Sequence, residues 1–280
     1  MKNWYFIIDI AKCENCNNCF LACKDEHVGN KWAGYAAPQP NHGHKWINVH
    51  SKERGSYPFI DVGYLPVPCM HCDAAPCIKA AKNNAIYKRP DGIVIIDPVK
   101  AAGQHTIVSS CPYNAIWWNA ELNLPQKCTM CAHLLDDGWN KTRCVQACPT
   151  GALTMRQADD NEIQRIMHDE KLDVYLTVLK TRPHVLYKNL YRFTHCFIGG
   201  SVATTIDGKE ECAEGAEVVV TDVTGKQIGS TMTDNYGDFK IDGLAENSGP
   251  YDITIKYQNH EAKTVKVNLI KSLNVGVIKV

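Results

Sequence analysis

The sequence has no long apolar run. Its most hydrophobic opening stretch, Trp4-Tyr5-Phe6-Ile7-Ile8, is cut off by Asp9. That is too short for the apolar core of a secretory signal and far short of the roughly 20 residues that span a bilayer. No twin-arginine pair precedes it. Charge of one sign is also missing: 30 Lys and Arg balance 30 Asp and Glu among 280 residues, for a formal net charge of zero. A nucleic-acid binder carries a basic footprint, and none is present. Phosphate loops, dinucleotide fingerprints and Ser-His-Asp arrangements are absent as well. The expectation is a cytoplasmic chain with no direct membrane insertion, no nucleic-acid partner and no catalytic residues of its own. An exported partner that carried the signal for both would change the location.

Cysteine, by contrast, is abundant and uneven. Twelve of the 14 lie between Cys13 and Cys148, and only Cys196 and Cys212 follow. A disulfide framework suits small secreted domains, which this chain does not resemble. The first group, Cys13, Cys16, Cys19 and Cys23, has the form C-x2-C-x2-C-x3-C. Thiolates two residues apart in a tight turn aim at one centre, and in two-cluster ferredoxins the fourth cysteine serves the other cluster. Lys24 stands where the simple pattern has proline. The second group is Cys69, Cys72 and Cys77, with Ala81 where a fourth ligand belongs. A fourth group is Cys128, Cys131, Cys144 and Cys148, with a wide gap in its middle. Tetrahedral zinc is the competing reading, because C-x2-C pairs suit it too.

The third group is nearly erased. Asp9-Ile10-Ala11-Lys12 leads into Cys13, and Asp97-Pro98-Val99-Lys100 has the same Asp-x-x-Lys form but leads into Ala101. Stepping on by the same spacing gives Gln104, Ile107 and then Cys111. Cys111-Pro112-Tyr113-Asn114-Ala115-Ile116 repeats the form of Cys148-Pro149-Thr150-Gly151-Ala152-Leu153. Exchanging last ligands between nested motifs gives Cys13, Cys16, Cys19 and Cys148 for one cluster. Cys23, Cys128, Cys131 and Cys144 form the second, and Cys69, Cys72, Cys77 and Cys111 the third. All four positions of the remaining site, Ala81, Ala101, Gln104 and Ile107, are then lost together and no cysteine is stranded. The nesting follows ferredoxin logic and is not forced by spacing alone. It leads to an expectation of three [4Fe–4S] clusters whose work is one-electron transfer. His71 and His133 lie near these ligands and read first as packing residues.

Ile86-Tyr87, Arg89-Pro90-Asp91-Gly92 and Ile93-Val94-Ile95-Ile96 read as strand, turn and strand. The insertion from about 27 to 68 holds Trp32, Tyr35, His42, His44, Trp46 and Tyr57 without a clear period. It fits a loop over the core or a docking surface. Asp159 starts a short amphipathic helix carrying Ile163, Ile166 and Met167. Further on, Val218 to Val220, Phe239 with Ile241, Ile253 with Ile255, Val265 with Val267 and Val275 to Val280 mark short strands separated by turn signals. A small β-sandwich follows from that spacing, with Cys196 and Cys212 as buried thiols. The expected fold is α+β, with a duplicated ferredoxin-like [4Fe–4S] core over 1–195 and an all-β sandwich over 196–280.

The four-motif core resembles the electron-transfer subunits of the dimethyl-sulfoxide-reductase family of molybdenum enzymes. Within it, the chain resembles the small subunits of pyrogallol–phloroglucinol transhydroxylases. Arg54-Gly55 with Tyr57-Pro58, Pro90-Asp91-Gly92-Ile93-Val94, and Lys127-Cys128-Thr129-Met130-Cys131-Ala132-His133 carry that likeness, as does Tyr187-Lys188-Asn189-Leu190-Tyr191-Arg192-Phe193. The resemblance implies a sandwich of prealbumin or carboxypeptidase-regulatory type. It also implies a heterodimer whose large subunit holds a molybdopterin guanine dinucleotide cofactor and acts on phenolic rings. The alternatives are an electron-transfer subunit of a respiratory molybdenum reductase and a zinc-stabilised scaffold.

Overall fold

The computed structural model describes residues 1–280. The chain divides into two compact units: Met1–His50 with Tyr64–Leu190, and Ser51–Gly63 with Tyr191–Val280.

The first unit is built on the apolar opening stretch. Asn3–Asp9 forms a strand that pairs antiparallel with Leu153–Ala158 and parallel with Val185–Lys188, and Leu172–Asp173 closes that edge. This explains the opening run: flanked on both sides, Tyr5, Phe6, Ile7 and Ile8 are all buried. On one face Tyr5 and Ile7 pack with Leu172, Leu186 and Ile163. Ile163 comes from the helix Asp160–Asp169, which Asp159 and Glu162 close with a reciprocal capping box. Two small hairpins, Ile86–Lys88 with Val94–Ile96 and Trp117–Asn119 with Leu124–Gln126, carry the repeated half-units. Gly92 makes the first of these turns in the left-handed conformation.

The insertion holds a β-hairpin. Ile47–Ser56 and Phe59–Pro68 form a long two-stranded ladder. Charged residues along the first strand and Pro66 and Pro68 in the second hide the alternation. The far part of this hairpin, Ser51–Gly63, belongs to the second unit.

The second unit is a β-sandwich. Cys196–Ile206 pairs with Asp238–Leu244, Lys209–Cys212 and, in parallel, Leu273–Lys279. The other sheet runs Gln227–Met232, Glu217–Asp222, Tyr251–Lys256, Lys263–Val267. Ile198, Val202, Val218, Val220, Phe239, Ile253 and Ile255 fill the space between. Cys196 is buried in that core, whereas Cys212 is exposed. It lies on Lys209–Cys212, a strand with every residue exposed, so the expectation of a buried thiol fails there. Arg54, from the hairpin, lies buried in this unit. It donates to Asp242 at 2.7 and 2.9 Å and also to Asp61, and its guanidinium stands 5.4 Å from the Phe197 ring centre.

Candidate iron–sulfur centres

The first ligand loop follows the opening strand. Asp9 accepts from the Ala11 N–H at 3.0 Å and from Asn189 Nδ2 at 2.7 Å, which fixes the exit of the strand. Asn15 and Asn17 take left-handed conformations, which asparagine tolerates better than most residues. The loop then enters the helix Asn18–His27. Cys19 and Cys23, four apart, lie on one helix face and are buried. Cys13 is half-buried and Cys16 exposed.

The last ligand loop is anchored by Lys127. Its buried amine donates to the Val94 and Cys128 carbonyls. Met130 and Cys131 are both left-handed, and the Met130 N–H points at Cys128 Sγ, 3.3 Å away. Thr142 caps the helix Arg143–Gln146, and its hydroxyl lies 3.1 Å from Cys144 Sγ. In the other half, the His71 N–H reaches Cys69 Sγ at 3.5 Å and the Ala115 N–H reaches Cys111 Sγ at 3.4 Å. Cys77 sits on the short helix Pro76–Ala80.

The thiols influence one another in groups. Cys13 and Cys19 feel the charge of Cys16 and Cys148. Cys23 feels Cys128, Cys131 and Cys144. Cys72 and Cys77 feel Cys69 and Cys111. The sets stand in a row, because Cys19 also acts on Cys23 and Cys144, and Cys69 acts on Cys128. Burial pushes Cys19, Cys72 and Cys144 up to about 12, and Cys77 and Cys128 to about 11. Cys148 goes the other way: burial alone would raise it, but N–H groups from Thr150, Ala152 and Leu153 and the Thr150 hydroxyl hold it below the usual thiol value. Packed thiols are protonated until a positive centre takes the protons' place. No three of the His, Cys, Asp and Glu side chains converge tightly enough for a single ion, so each set is an open cage.

The middle cage is a cavity with about 330 Å³ of atom-free space, lined by Cys23, Cys128, Cys131 and Cys144 together with His27, Trp46 and Thr129. His27 Nδ1, Trp46 Nε1 and Thr129 Oγ1 are buried there without a partner in the protein. Four thiols with unmatched donors around them fit a group that is anionic and rich in sulfur acceptors.

The fourth, cysteine-free site is filled. Ala101 and Ile107 are fully buried. The Gln104 carboxamide accepts from the Lys82 N–H at 2.8 Å and donates to the Lys82 and Lys100 carbonyls at 3.2 and 2.7 Å. It thus ties the residue after Ala81 to the residue before Ala101.

Two comparisons with known families cover most of the chain. The family described as 4Fe-4S dicluster domain matches residues 60–158, and the carboxypeptidase regulatory-like domain matches residues 198–277. The pyrogallol hydroxytransferase small subunit of Pelobacter acidigallici is 42% identical over 282 residues, covering 100% of both chains. This chain belongs to the pyrogallol hydroxytransferase small-subunit family. As a member of that family it is an iron–sulfur protein. More distant relatives include the iron-sulfur cluster-binding subunit of the menaquinone reductase of Nitratidesulfovibrio vulgaris, 28% identical over 66% of this chain and 88% of that one. The thiosulfate reductase electron transfer subunit of Salmonella typhi is 28% identical over 59% and 82%. No helix is long and apolar enough to cross a membrane.

Around the middle cage the chain packs histidines and tryptophans against one another. His133 stacks on Trp32 at 4.1 Å, and its Nε2 lies 2.9 Å from Glu26 Oε1. His27 packs on Trp46 at 4.7 Å. Trp32 and Trp46 of the insertion therefore work as packing, while Tyr57 at the hairpin tip is 88% exposed. His27 had one signal in the sequence: Cys19, Cys23 and His27 recur every fourth residue and share a helix face. Trp46 and Thr142 had none, since long-range packing alone brings them in.

Proposed function

We propose that the chain is the iron–sulfur electron-transfer subunit of a molybdopterin-dependent enzyme that acts on hydroxylated benzenes. Cys13, Cys16, Cys19 and Cys148 hold one [4Fe–4S] cluster. Cys23, Cys128, Cys131 and Cys144 hold the next, and Cys69, Cys72, Cys77 and Cys111 the third. A cubane with four cysteine ligands has no open iron and supplies one-electron transfer. The observation that carries this reading is the cavity lined by Cys23, Cys128, Cys131 and Cys144, with the mutual influence of the remaining cysteines in support. Full-length similarity to a hydroxytransferase small subunit supports the partner: a large subunit in the cytoplasm holding molybdopterin guanine dinucleotide and doing the chemistry on the ring.

The chain's own groups keep the row in order. Met130, Ala115 and Thr142 aim donors at ligand sulfurs, and Lys127 places a buried positive charge between the Val94 and Cys128 carbonyls. Opposite charge nearby favours thiolate. Gln104 ties Lys82 to Lys100 across the positions that lack cysteine, which supports three clusters in place of four.

The test is to tag this chain in its native host, purify anaerobically and analyse what accompanies it. Molybdenum in equimolar amount, with a large subunit and hydroxyl transfer between benzenetriols, is the expected result. A complex without molybdenum, or with zinc in place of iron, contradicts the proposal.

A further inference from the structure

We propose that His27 donates a hydrogen bond from Nδ1 to a sulfur of the middle cluster and, with Trp46 and Thr129, raises the reduction potential of that cluster. The inference rests on the ligand assignment above. His27 is 1% exposed, lines the cavity with all four cysteines, and its Nδ1 finds no acceptor in the protein. Trp46 Nε1 is a donor only. It too is buried and unpartnered, on a ring 4.7 Å from that of His27. The Thr129 hydroxyl completes three orphan donors around one cavity. A buried N–H without an acceptor is costly and is rarely kept without one, and sulfur is the acceptor this cavity would hold.

Reduction adds one negative charge. Burial in an apolar cavity opposes that charge, while hydrogen bonds to sulfur favour it. Burial of Cys23, Cys131 and Cys144 opposes reduction of a cluster held there, and donors from His27, Trp46 and Thr129 would offset that opposition. No proton moves and no bond breaks, and His27 is a positioning residue for charge.

The experiment is a dithionite redox titration of the anaerobically purified native complex, followed by electron paramagnetic resonance. The middle cluster is recognised by magnetic coupling to both others. Iron content tests the ligand assignment independently, so failure of that assignment is seen before any potential is read. His27→Phe keeps a ring packed on Trp46 and removes the donor; it should lower the reduced-to-oxidised ratio of that cluster about tenfold at fixed poise, a shift of ~59 mV for one electron. His27→Asn, whose amide nitrogen reaches the place of Nδ1, should recover most of it. Three intact clusters with an unmoved middle potential in His27→Phe overturn the proposal. If that variant fails to assemble, the wild-type protein labelled with ¹⁵N-histidine decides: hyperfine coupling of the reduced middle cluster to an imidazole nitrogen, lost in His27→Asn, supports the hydrogen bond, and no such coupling overturns it.

Discussion

Replacing Arg54 with Met should loosen the second unit. The Arg54 side chain is 1% exposed, and its two carboxylate partners, Asp61 and Asp242, are 16% and 17% exposed. It also donates to the His195 carbonyl at 3.1 Å. Removing one member of a buried ion pair costs about 3–5 kcal/mol, because the other is left without its partner. Here Lys240 stays 2.8 Å from Asp61 and 3.2 Å from Asp242, and Arg192 stays 2.8 Å from Asp61. That residual pairing places the loss near the lower bound, about 3 kcal/mol. For a unit of about 100 residues each kcal/mol is worth roughly 4–8 °C, so the sandwich should melt at least about 10 °C lower. The assay is hydrogen exchange by mass spectrometry on peptides from 51–63 and 191–280, with calorimetry alongside. Peptides from the hairpin tip should lose protection first. The pH dependence has a definite sign. Burial alone would raise the Asp61 pKa, but hydrogen bonds from Lys240, Arg54 and Arg192 hold it well below the usual carboxylate range. A carboxylate depressed in the folded state stabilises above its unfolded pKa of about 3.9 and loses that contribution as pH falls further. The wild-type advantage over the variant should therefore be full at neutral pH and shrink below about pH 4. Equal melting and equal exchange in the two proteins at neutral pH would refute this reasoning.

Other outcomes follow from single contacts. Cys23→Ala should remove the middle cluster alone, dropping iron from about twelve to about eight per chain; loss from the first set instead would show that the last ligands are not exchanged. Gln104→Ala removes three hydrogen bonds that close the vacated site. It should cost about 1–2 kcal/mol in denaturant unfolding and leave the iron content unchanged. Arg89 grips Asp136 at 2.6 and 2.8 Å, and this contact, ahead of the opposing effect of burial, holds that carboxyl down to about 2. Because Asp136 is 41% exposed, Arg89→Ala should cost no more than about 1 kcal/mol at neutral pH, and the difference should shrink below about pH 4 and vanish only below about pH 2, as read from acid unfolding.

The cysteine groups were legible because metal chemistry writes itself in short spacings. Three loops announce their ligands within a few residues, and even the erased motif left Asp97, Lys100 and Cys111 in register. The sandwich strands were legible where one face is buried, as at Val218 and Val220 or Ile253 and Ile255. The hairpin of Ile47–Ser56 and Phe59–Pro68 was not, since its residues answer to two different units and show no single period. The leading strand of the sandwich, Cys196–Ile206, was also missed: Gly199, Gly200 and Ser201 break its apolar pattern. A Cβ at Gly200 would come within 2.6 Å of the Val275 side chain, a close approach that no local pattern reveals. Trp46 and Thr142 reach the middle cavity through tertiary packing, and a spacing rule has no access to that. Nor did the even charge balance betray Arg54, whose partner Asp242 lies 188 residues away.

The most direct test of the account is the iron, acid-labile sulfide and zinc content of the anaerobically purified native complex, per copy of this chain and after subtracting what the separated large subunit carries. Three cubanes require about twelve irons and about twelve sulfides, with zinc absent. About sixteen irons, about eight, or stoichiometric zinc would each contradict the assignment of twelve cysteines to three clusters.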